Sequence, residues 1–153
     1  MHKFLLALVC VGLSGCVTVP VTPTETVVMR APTTEFGQAL VDLRADNGVG
    51  PIMEDATLRS VATAHAAQMQ AQGFFDHVAP DGSAPWDRAR AAGYCRTAAI
   101  AENIAKGQPT EARVLQDWID SPGHLQNMLD GRFIRFGLGQ AGDSWVLLLG
   151  GAC

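Results

Sequence analysis

The chain has 153 residues, of which 48% are hydrophobic and 17% charged, and its formal net charge is −4. This length allows one domain with a single core. Beyond Lys3 the only lysine is Lys106, and the arginines are scattered. The charge pattern therefore excludes a nucleic-acid footprint and a polybasic membrane patch.

The first residues have the shape of an export signal. Lys3 precedes an apolar run, residues 4–12, which is too short to span a bilayer because a span needs about 20 apolar residues. The run ends at Leu13-Ser14-Gly15-Cys16, which resembles the bacterial lipobox. We expect residues 1–15 to be a lipoprotein signal peptide and Cys16 to be acylated. The alternative is an ordinary secretory signal with a chance cysteine.

Residues 16–33 are rich in Thr, Val and Pro with almost no charge, which is typical of an extended tether. A lipid on Cys16 would hold residues 34–153, the folded domain, at a membrane surface without inserting it. Val17 stands where an aspartate would favour the inner membrane in enteric-type sorting. We therefore expect an exported, lipid-anchored protein at the periplasmic face of the outer membrane.

Two cysteines, Cys95 and Cys153, remain in the exported domain. Oxidising surroundings favour a disulfide between them. It would close a loop of nearly sixty residues, which the chain-entropy treatment values at ~4 kcal/mol. The alternative is a catalytic Cys95 thiolate beside a histidine.

Apolar residues at helical spacing, caps and stop signals predict five helices in chain order. The first begins after Thr34 and stops at Asn47-Gly48, and the second runs from an Asp55 cap to Gly73. A short third helix starts at Pro85, a fourth at Thr110, and a fifth at Ser121-Pro122, ending at Asp130-Gly131.

Strand signals come late in the chain. Residues 133–139 and 145–149 read as a hairpin, and residues 98–105, which carry Glu102, are a third candidate. The strand at 145–149 is apolar without alternation, which implies cover on both faces. The predicted fold class is α+β, a three-layer α-β-α sandwich around a small antiparallel sheet.

Three ionisable side chains lie beside a turn, a helix end or a strand: His77, Glu102 and His124. Functional polar groups are often positioned at such places. They permit a metal site, general-base chemistry, or hydrogen bonding alone. The sequence has no HExxH or GxSxG motif and no nucleophile placed by a motif. Enzymatic activity is therefore the less favoured interpretation.

The order of motifs resembles the bacterial branch of the CAP superfamily, the cysteine-rich secretory, antigen 5 and pathogenesis-related 1 proteins, whose shared unit is also called the SCP domain. The resemblance covers residues 36–149 and rests on these segments: Phe75-Asp76-His77, Pro80-Asp81-Gly82, Pro85-Trp86, Arg88, Ala91-Ala92-Gly93-Tyr94, Glu102-Asn103-Ile104, Trp118, and Ser121-Pro122-Gly123-His124 through Asn127. It implies the α-β-α fold and a cleft lined by His77, Glu102 and His124, with Asn103, Ser121 and Asp76 in support.

The chain departs from that family pattern at two positions. Ser121 stands where eukaryotic members carry a second glutamate, and Ala101 replaces a glycine before Glu102. Asp76 is an imperfect substitute for the missing carboxylate. A catalytic zinc site needs three protein ligands. We therefore assign no cofactor and expect at most weak binding of Zn²⁺ or another divalent cation by His77 and His124.

The remaining histidine and the tryptophans are assigned to packing. His65 lies on the apolar side of the second helix and is interpreted as a buried or half-buried packing residue with a satisfied nitrogen; the alternative is a third metal ligand. Trp86, Trp118 and Trp145 are interpreted as core anchors.

Two functional hypotheses follow. The first is a membrane-tethered, non-catalytic binding module for a lipid, an envelope polymer or a protein, acting as a monomer through the cleft. The second is a metal-assisted or His/Glu-dependent hydrolase of peptides or cell-wall material.

Overall fold

The structure, a computed structural model, describes residues 34–153. The predicted signal peptide (1–15) and tether (16–33) lie outside the described residues. No helix within 34–153 is long and apolar enough to cross a membrane.

Five helices form where caps and stop signals predict them. Thr34, Asp55 and Thr110 each accept a hydrogen bond from a backbone N–H of the first helical turn, at 3.0, 2.9 and 3.2 Å. Gly73 ends the second helix with φ +69°, a left-handed conformation that glycine adopts without strain. The helices are α1 Glu35–Asp46, α2 Ala56–Gln72, α3 Pro85–Ala91, α4 Glu111–Ile119 and α5 Pro122–Met128.

Four strands form one sheet in the order β1-β3-β4-β2. The three predicted strands pair antiparallel, but β1 pairs parallel with β3, so the sheet is mixed rather than purely antiparallel. With only two residues, β1 is too short to produce a periodic signal. The strands are β1 Met53–Glu54, β2 Ile100–Lys106, β3 Phe133–Ala141 and β4 Ser144–Gly151.

The central strand β4 is buried along its whole length, as its unbroken apolar pattern predicts. Leu147 and Leu149 pack into a core with α1, α4 and α5, whereas Val146 and Leu148 face a second core built mainly from α2. Because successive side chains of a strand point to opposite faces, one strand serves both cores. The three-layer α-β-α architecture is confirmed.

Two glycines of β3 let α2 lie unusually close to the sheet. A Cβ atom at Gly137 would stand 2.1 Å from the backbone N of Arg59, and one at Gly139 would stand 2.1 Å from that of Thr63. Real side chains do not tolerate such distances, so the helix can take this position only over glycine. This close contact fixes α2 against the sheet, and the loop that carries His77 follows α2 in the chain.

Two of the three tryptophans are core anchors, and the third is not. Trp118 and Trp145 are buried, and their indole N–H groups donate to the carbonyls of Ile104 and Gln108. Trp86 is 49% exposed, so its assignment to the core is wrong. On the short helix α3 the buried positions are Pro85 and Ala89, and Trp86 lies outside that face.

One arginine is buried in the core, which the sequence pattern does not predict. Arg44 is fully buried at the end of α1, and its guanidinium donates to four carbonyl oxygens, those of Gly50, Met128, Asp130 and Phe133. These bonds attach α1 to the loop after α5 and to the start of β3.

Candidate functional site

The cleft residues gather at the edge strand β2. Two consecutive residues of this strand, Glu102 and Asn103, are both buried. Alternation along the strand turns Glu102 toward the α2–α3 layer and Asn103 toward α5. Each of the two therefore contacts a different predicted histidine, and the strand lies between them.

Glu102 is held by two partners. Its Oε1 atom is 2.9 Å from His77 Nδ1, and its Oε2 accepts a hydrogen bond of 2.8 Å from Arg88 Nη2. The Glu102 side chain is 1% exposed, whereas that of His77 is 48% exposed. The carboxylate is therefore buried and engaged through both oxygens, and the imidazole that it orients reaches solvent.

The loop that carries His77 is fixed by α3 and by its own turn. Arg88 Nη1 donates to the carbonyls of His77 and Ser83, at 3.0 and 2.7 Å. The Asp76 carboxylate accepts from Val78 N at 2.9 Å, so its side chain is used in a local turn. This bond gives Asp76 a structural task and explains why it does not replace the carboxylate missing at Ser121.

His124 is positioned through the backbone. The Asn103 side chain donates to the His124 carbonyl at 3.1 Å and accepts from Asn127 at 2.9 Å, which locks the first turn of α5 against β2. The His124 ring lies 6.4 Å from the Trp118 ring. Ser121 precedes α5 as predicted, but its side chain makes no capping bond.

The two imidazoles have opposite electrostatic environments. The hydrogen bond to Glu102 raises the pKa of His77 above its ordinary value. Burial lowers the pKa of His124, and the nearby charge of His77 lowers it further. The environments thus move the pKa values of the two imidazoles in opposite directions.

The prediction that His65 is a buried residue with a satisfied nitrogen is confirmed. It is 1% exposed, and Nε2 lies 3.0 Å from the Asp76 carbonyl. The same Nε2 is 3.9 Å from Glu102 Oε1. The sequence raised His65 only as an alternative metal ligand, and it named Arg88 without assigning it the contact with Glu102 that the structure shows.

The donor set does not fit a catalytic zinc site. His77 and His124 supply two imidazoles, whereas the side chain of Glu102 is 1% exposed and bonded to His77 and Arg88, so it is not presented as a third ligand. Across residues 34–153, no group of three or more His, Cys, Asp or Glu side chains is arranged to hold a metal ion. Weak binding by the two histidines stays a prediction.

Cys95 and Cys153 are adjacent, as the predicted disulfide requires, and the structure has both as free thiols. Contact with the Cys153 thiol lowers the pKa of Cys95 to about 7. The bridge itself stays a prediction.

Comparison with known proteins places the chain in a family. Residues 38–146 match the sequence model described as "CAP: Cysteine-rich secretory protein family". The uncharacterized protein YkwD of Bacillus subtilis is 36% identical over 105 residues, which are 67% of this chain. The match spans only 40% of the YkwD length.

Solved structures share the fold. An extracellular SCP-domain protein from Bacillus anthracis superposes with a TM-score of 0.70 at 24% identity, covering 74% of this chain and 38% of that one. An outer surface protein from Borrelia burgdorferi gives 0.68 at 22% identity, covering 75% and 88%. With the family match over most of the domain, these likenesses lead to one conclusion: the chain belongs to the CAP family of cysteine-rich secretory proteins.

Proposed function

We propose that this protein is an exported CAP-domain lipoprotein that binds an amphiphilic ligand, a lipid, at the His77–Glu102–His124 cleft and performs no catalysis there. The observation that carries the proposal is the burial of Glu102, whose side chain is 1% exposed and whose two oxygens bond His77 and Arg88. A carboxylate buried and bonded in this way orients its neighbours and is not presented to a water molecule in the cleft.

The surface around His77 favours a lipid over an envelope polymer or a protein. Within residues 34–153, the exposed large hydrophobic side chains are Phe75, Val78 and Trp86, each close to half exposed. All three lie in the short segment 75–86 that also carries His77. Apolar side chains beside a polar, charge-bearing site match a ligand that has a head group and an apolar body.

Export and anchoring are supported from outside the domain. The similar solved proteins are described as extracellular or as an outer surface protein. The lipobox-like segment ending at Cys16 supplies an acyl anchor, and residues 16–33 supply the tether. A domain held in this way works at a periplasmic membrane surface, next to the lipids that we propose as its ligands.

The direct test is an unbiased binding screen with the purified protein, unlipidated, against lipid arrays and soluble cell-wall fragments. We expect retention of lipids and no binding of wall glycans or peptides at the cleft. Binding confined to wall fragments would replace the lipid proposal by the envelope-polymer one, and an absence of all binding would remove support for a binding module.

A hydrolase is the second candidate, because one observation favours it. Glu102 holds His77 through Nδ1 and leaves the other ring nitrogen of a half-exposed imidazole available as a base. The discriminating experiment compares turnover of peptide and cell-wall substrates by the wild type and a triple variant, His77→Ala, Glu102→Gln and His124→Ala. Turnover by the wild type that the triple variant loses would overturn the non-catalytic proposal.

A further inference from the structure

An apolar groove lies between α1 and α4, on the face of the sheet opposite to α2. This α1–α4 groove has a volume of about 210 Å³. Ligand sites for small molecules begin at about 300 Å³, so the groove suits a narrower occupant such as an extended chain segment. Most of its lining is hydrophobic and comes from Phe36, Ala39, Ala112, Leu115 and Ile119.

The chain enters α1 at one end of this groove. Thr34 and Glu35, at the start of α1, line a wider opening together with Thr110 and Glu111, at the start of α4. The backbone N–H of Phe36 donates to Glu111 Oε2 at 3.1 Å, which joins the two helix starts. The groove extends from this opening along both helices. Since residues 16–33 are joined to Thr34, they leave the domain at the opening.

The sequence before Thr34 has the composition that an apolar groove accepts. Val27-Val28-Met29 is the only run of three hydrophobic residues within 17–33. Burial of such side chains in an apolar groove is favourable. Pro32 stands at the second of residues 31–34, the position that proline favours in a tight turn. A turn at this place directs the hydrophobic run back along the groove.

The dimensions of the segment and the groove agree. Ala112 and Ile119 are the two α4 residues at the ends of the groove lining, and the helix rises by about 11 Å between them. Four residues of extended chain, such as 27–30, cover about 13 Å. A single extended segment that turns back at Pro32 therefore reaches from the opening to the far end of the groove.

The charges at the opening complement those of the segment. Glu35 and Glu111 line the opening, and neither forms an ion pair with a cationic side chain of residues 34–153. The only cation within 17–33 is Arg30, which directly follows the hydrophobic run. With the run in the groove, Arg30 lies beside the two carboxylates. An exposed pair of this kind adds little affinity but fixes the direction of the segment.

We propose that residues 27–30 of this chain dock in the α1–α4 groove, with the hydrophobic run against its apolar lining and Arg30 beside Glu35 and Glu111. The docking is independent of the ligand at the His77 cleft. It leaves residues 16–26 as the link between the proposed acyl anchor and the domain. This link reaches at most about 40 Å, against about 65 Å for residues 16–33, so the docking sets how far the domain extends from its membrane.

The test is NMR spectroscopy of the purified mature chain, unlipidated and carrying Cys16→Ser. We expect nuclear Overhauser contacts between the methyl groups of residues 27–29 and the side chains of Leu115 and Ile119. We also expect the amides of residues 27–30 to be as ordered as those of α4, and more ordered than those of residues 17–24. The absence of these contacts, or equal order in the two segments, would overturn the proposal.

A sample that mixes isotope-labelled and unlabelled protein identifies the occupant of the groove. Contacts within one molecule support the proposal. Contacts that arise only between molecules would show that a second copy fills the groove, and would overturn it. Contacts of Leu115 and Ile119 with the acyl chains of a co-purified lipid, in place of residues 27–29, would overturn it as well.

A first pair of variants changes the segment and leaves residues 34–153 untouched. Each member replaces three hydrophobic residues by serine. The docking variant, which we expect to lose the order of residues 27–30, is Val27→Ser, Val28→Ser, Met29→Ser. The matched control, which we expect to retain it, is Val17→Ser, Val19→Ser, Val21→Ser.

A second pair of variants changes the groove. Ala112→Trp fills it from an exposed position, and Ala67→Trp places the same side chain at an exposed position of α2 outside the groove lining. We expect Ala112→Trp to release residues 27–30 and Ala67→Trp to keep them docked. Unchanged order of residues 27–30 in the serine docking variant would overturn the proposal even if Ala112→Trp fails to fold.

Discussion

Glu102 and Asn103, consecutive residues of the edge strand β2, hold the two cleft histidines from opposite faces of the sheet. Glu102 bonds the His77 ring at 2.9 Å, and Asn103 bonds the His124 carbonyl at 3.1 Å. The strand thus positions the ring of His77 and the backbone of His124, which come from separate layers. Within residues 34–153, β2 is an edge strand that pairs with β4 on one side only.

The first prediction concerns the buried carboxylate. Glu102→Gln keeps the side-chain size but leaves the Arg88 guanidinium without its charged partner, and we expect a loss of about 3 kcal/mol in the free energy of unfolding. The matched control is Glu35→Gln, which removes the same charge from an exposed first-turn position and should cost under ~1 kcal/mol. Urea denaturation measures both, and equal losses would contradict the structural role of Glu102.

The second prediction concerns pH. Since the folded-state pKa of His77 is raised, its contribution to stability is fully present below the unfolded pKa of about 6.5 and is lost as the pH rises through the folded pKa. The pKa values of His65 and His124 are lowered, so their contributions are lost as the pH falls instead.

Comparison of the wild type with a variant that lacks the imidazole isolates the contribution of His77 to the pH dependence of stability. The stability difference between the wild type and His77→Asn should be largest below the unfolded pKa and shrink as the pH rises through the folded pKa. NMR titration should place the His77 pKa above that of His124, and Glu102→Gln should bring the two closer. A stability difference that grows with pH would show that the assigned sign is wrong.

The third prediction concerns the close approach of α2. Gly137→Ala places a Cβ atom against the backbone of α2, and we expect a loss of at least about 3 kcal/mol in unfolding free energy. Gly123→Ala is the control, because no atom lies within 4 Å of its Cβ and alanine favours a helix. Thermal or urea unfolding should show a much lower stability for Gly137→Ala than for Gly123→Ala. Similar stabilities of the two variants would refute the tight helix–sheet contact.

The fourth prediction concerns the cysteines. Oxidised protein should contain no titratable thiol from Cys95 and Cys153, and Cys153→Ser should lose up to ~4 kcal/mol of stability relative to it. Reduced wild type is the matched control and should resemble the variant. Two reactive thiols in protein isolated from an oxidising compartment would contradict the bridge.

Local signals in the sequence predict the helices well, because caps at Thr34, Asp55 and Thr110 act within one turn. They fail for β1, which has two residues and forms only because β3 lies beside it. The prediction for Trp86 is wrong for a related reason: on a seven-residue helix, a large apolar side chain does not reveal which face is buried.

The candidate site shows the same limit. Motif order brings His77 and Glu102 into consideration together, and they are in contact. Arg44 bonds carbonyls as far as 89 residues away, at Phe133, and Arg88 and His65 bond carbonyl or carboxylate partners in other elements or loops, 5–14 residues away. Such partners are invisible to periodicity, and buried arginine is rare enough that composition argues against it.

The most direct test of the central claim is the lipid affinity of the unlipidated protein, measured in parallel for the wild type and the double variant His77→Ala, His124→Ala. The control variant is Gln116→Ala on α4, outside the cleft. We predict saturable lipid binding that weakens about tenfold or more in the double variant at unchanged stability and persists in the control. Equal affinity of the wild type and the double variant for lipid would contradict it.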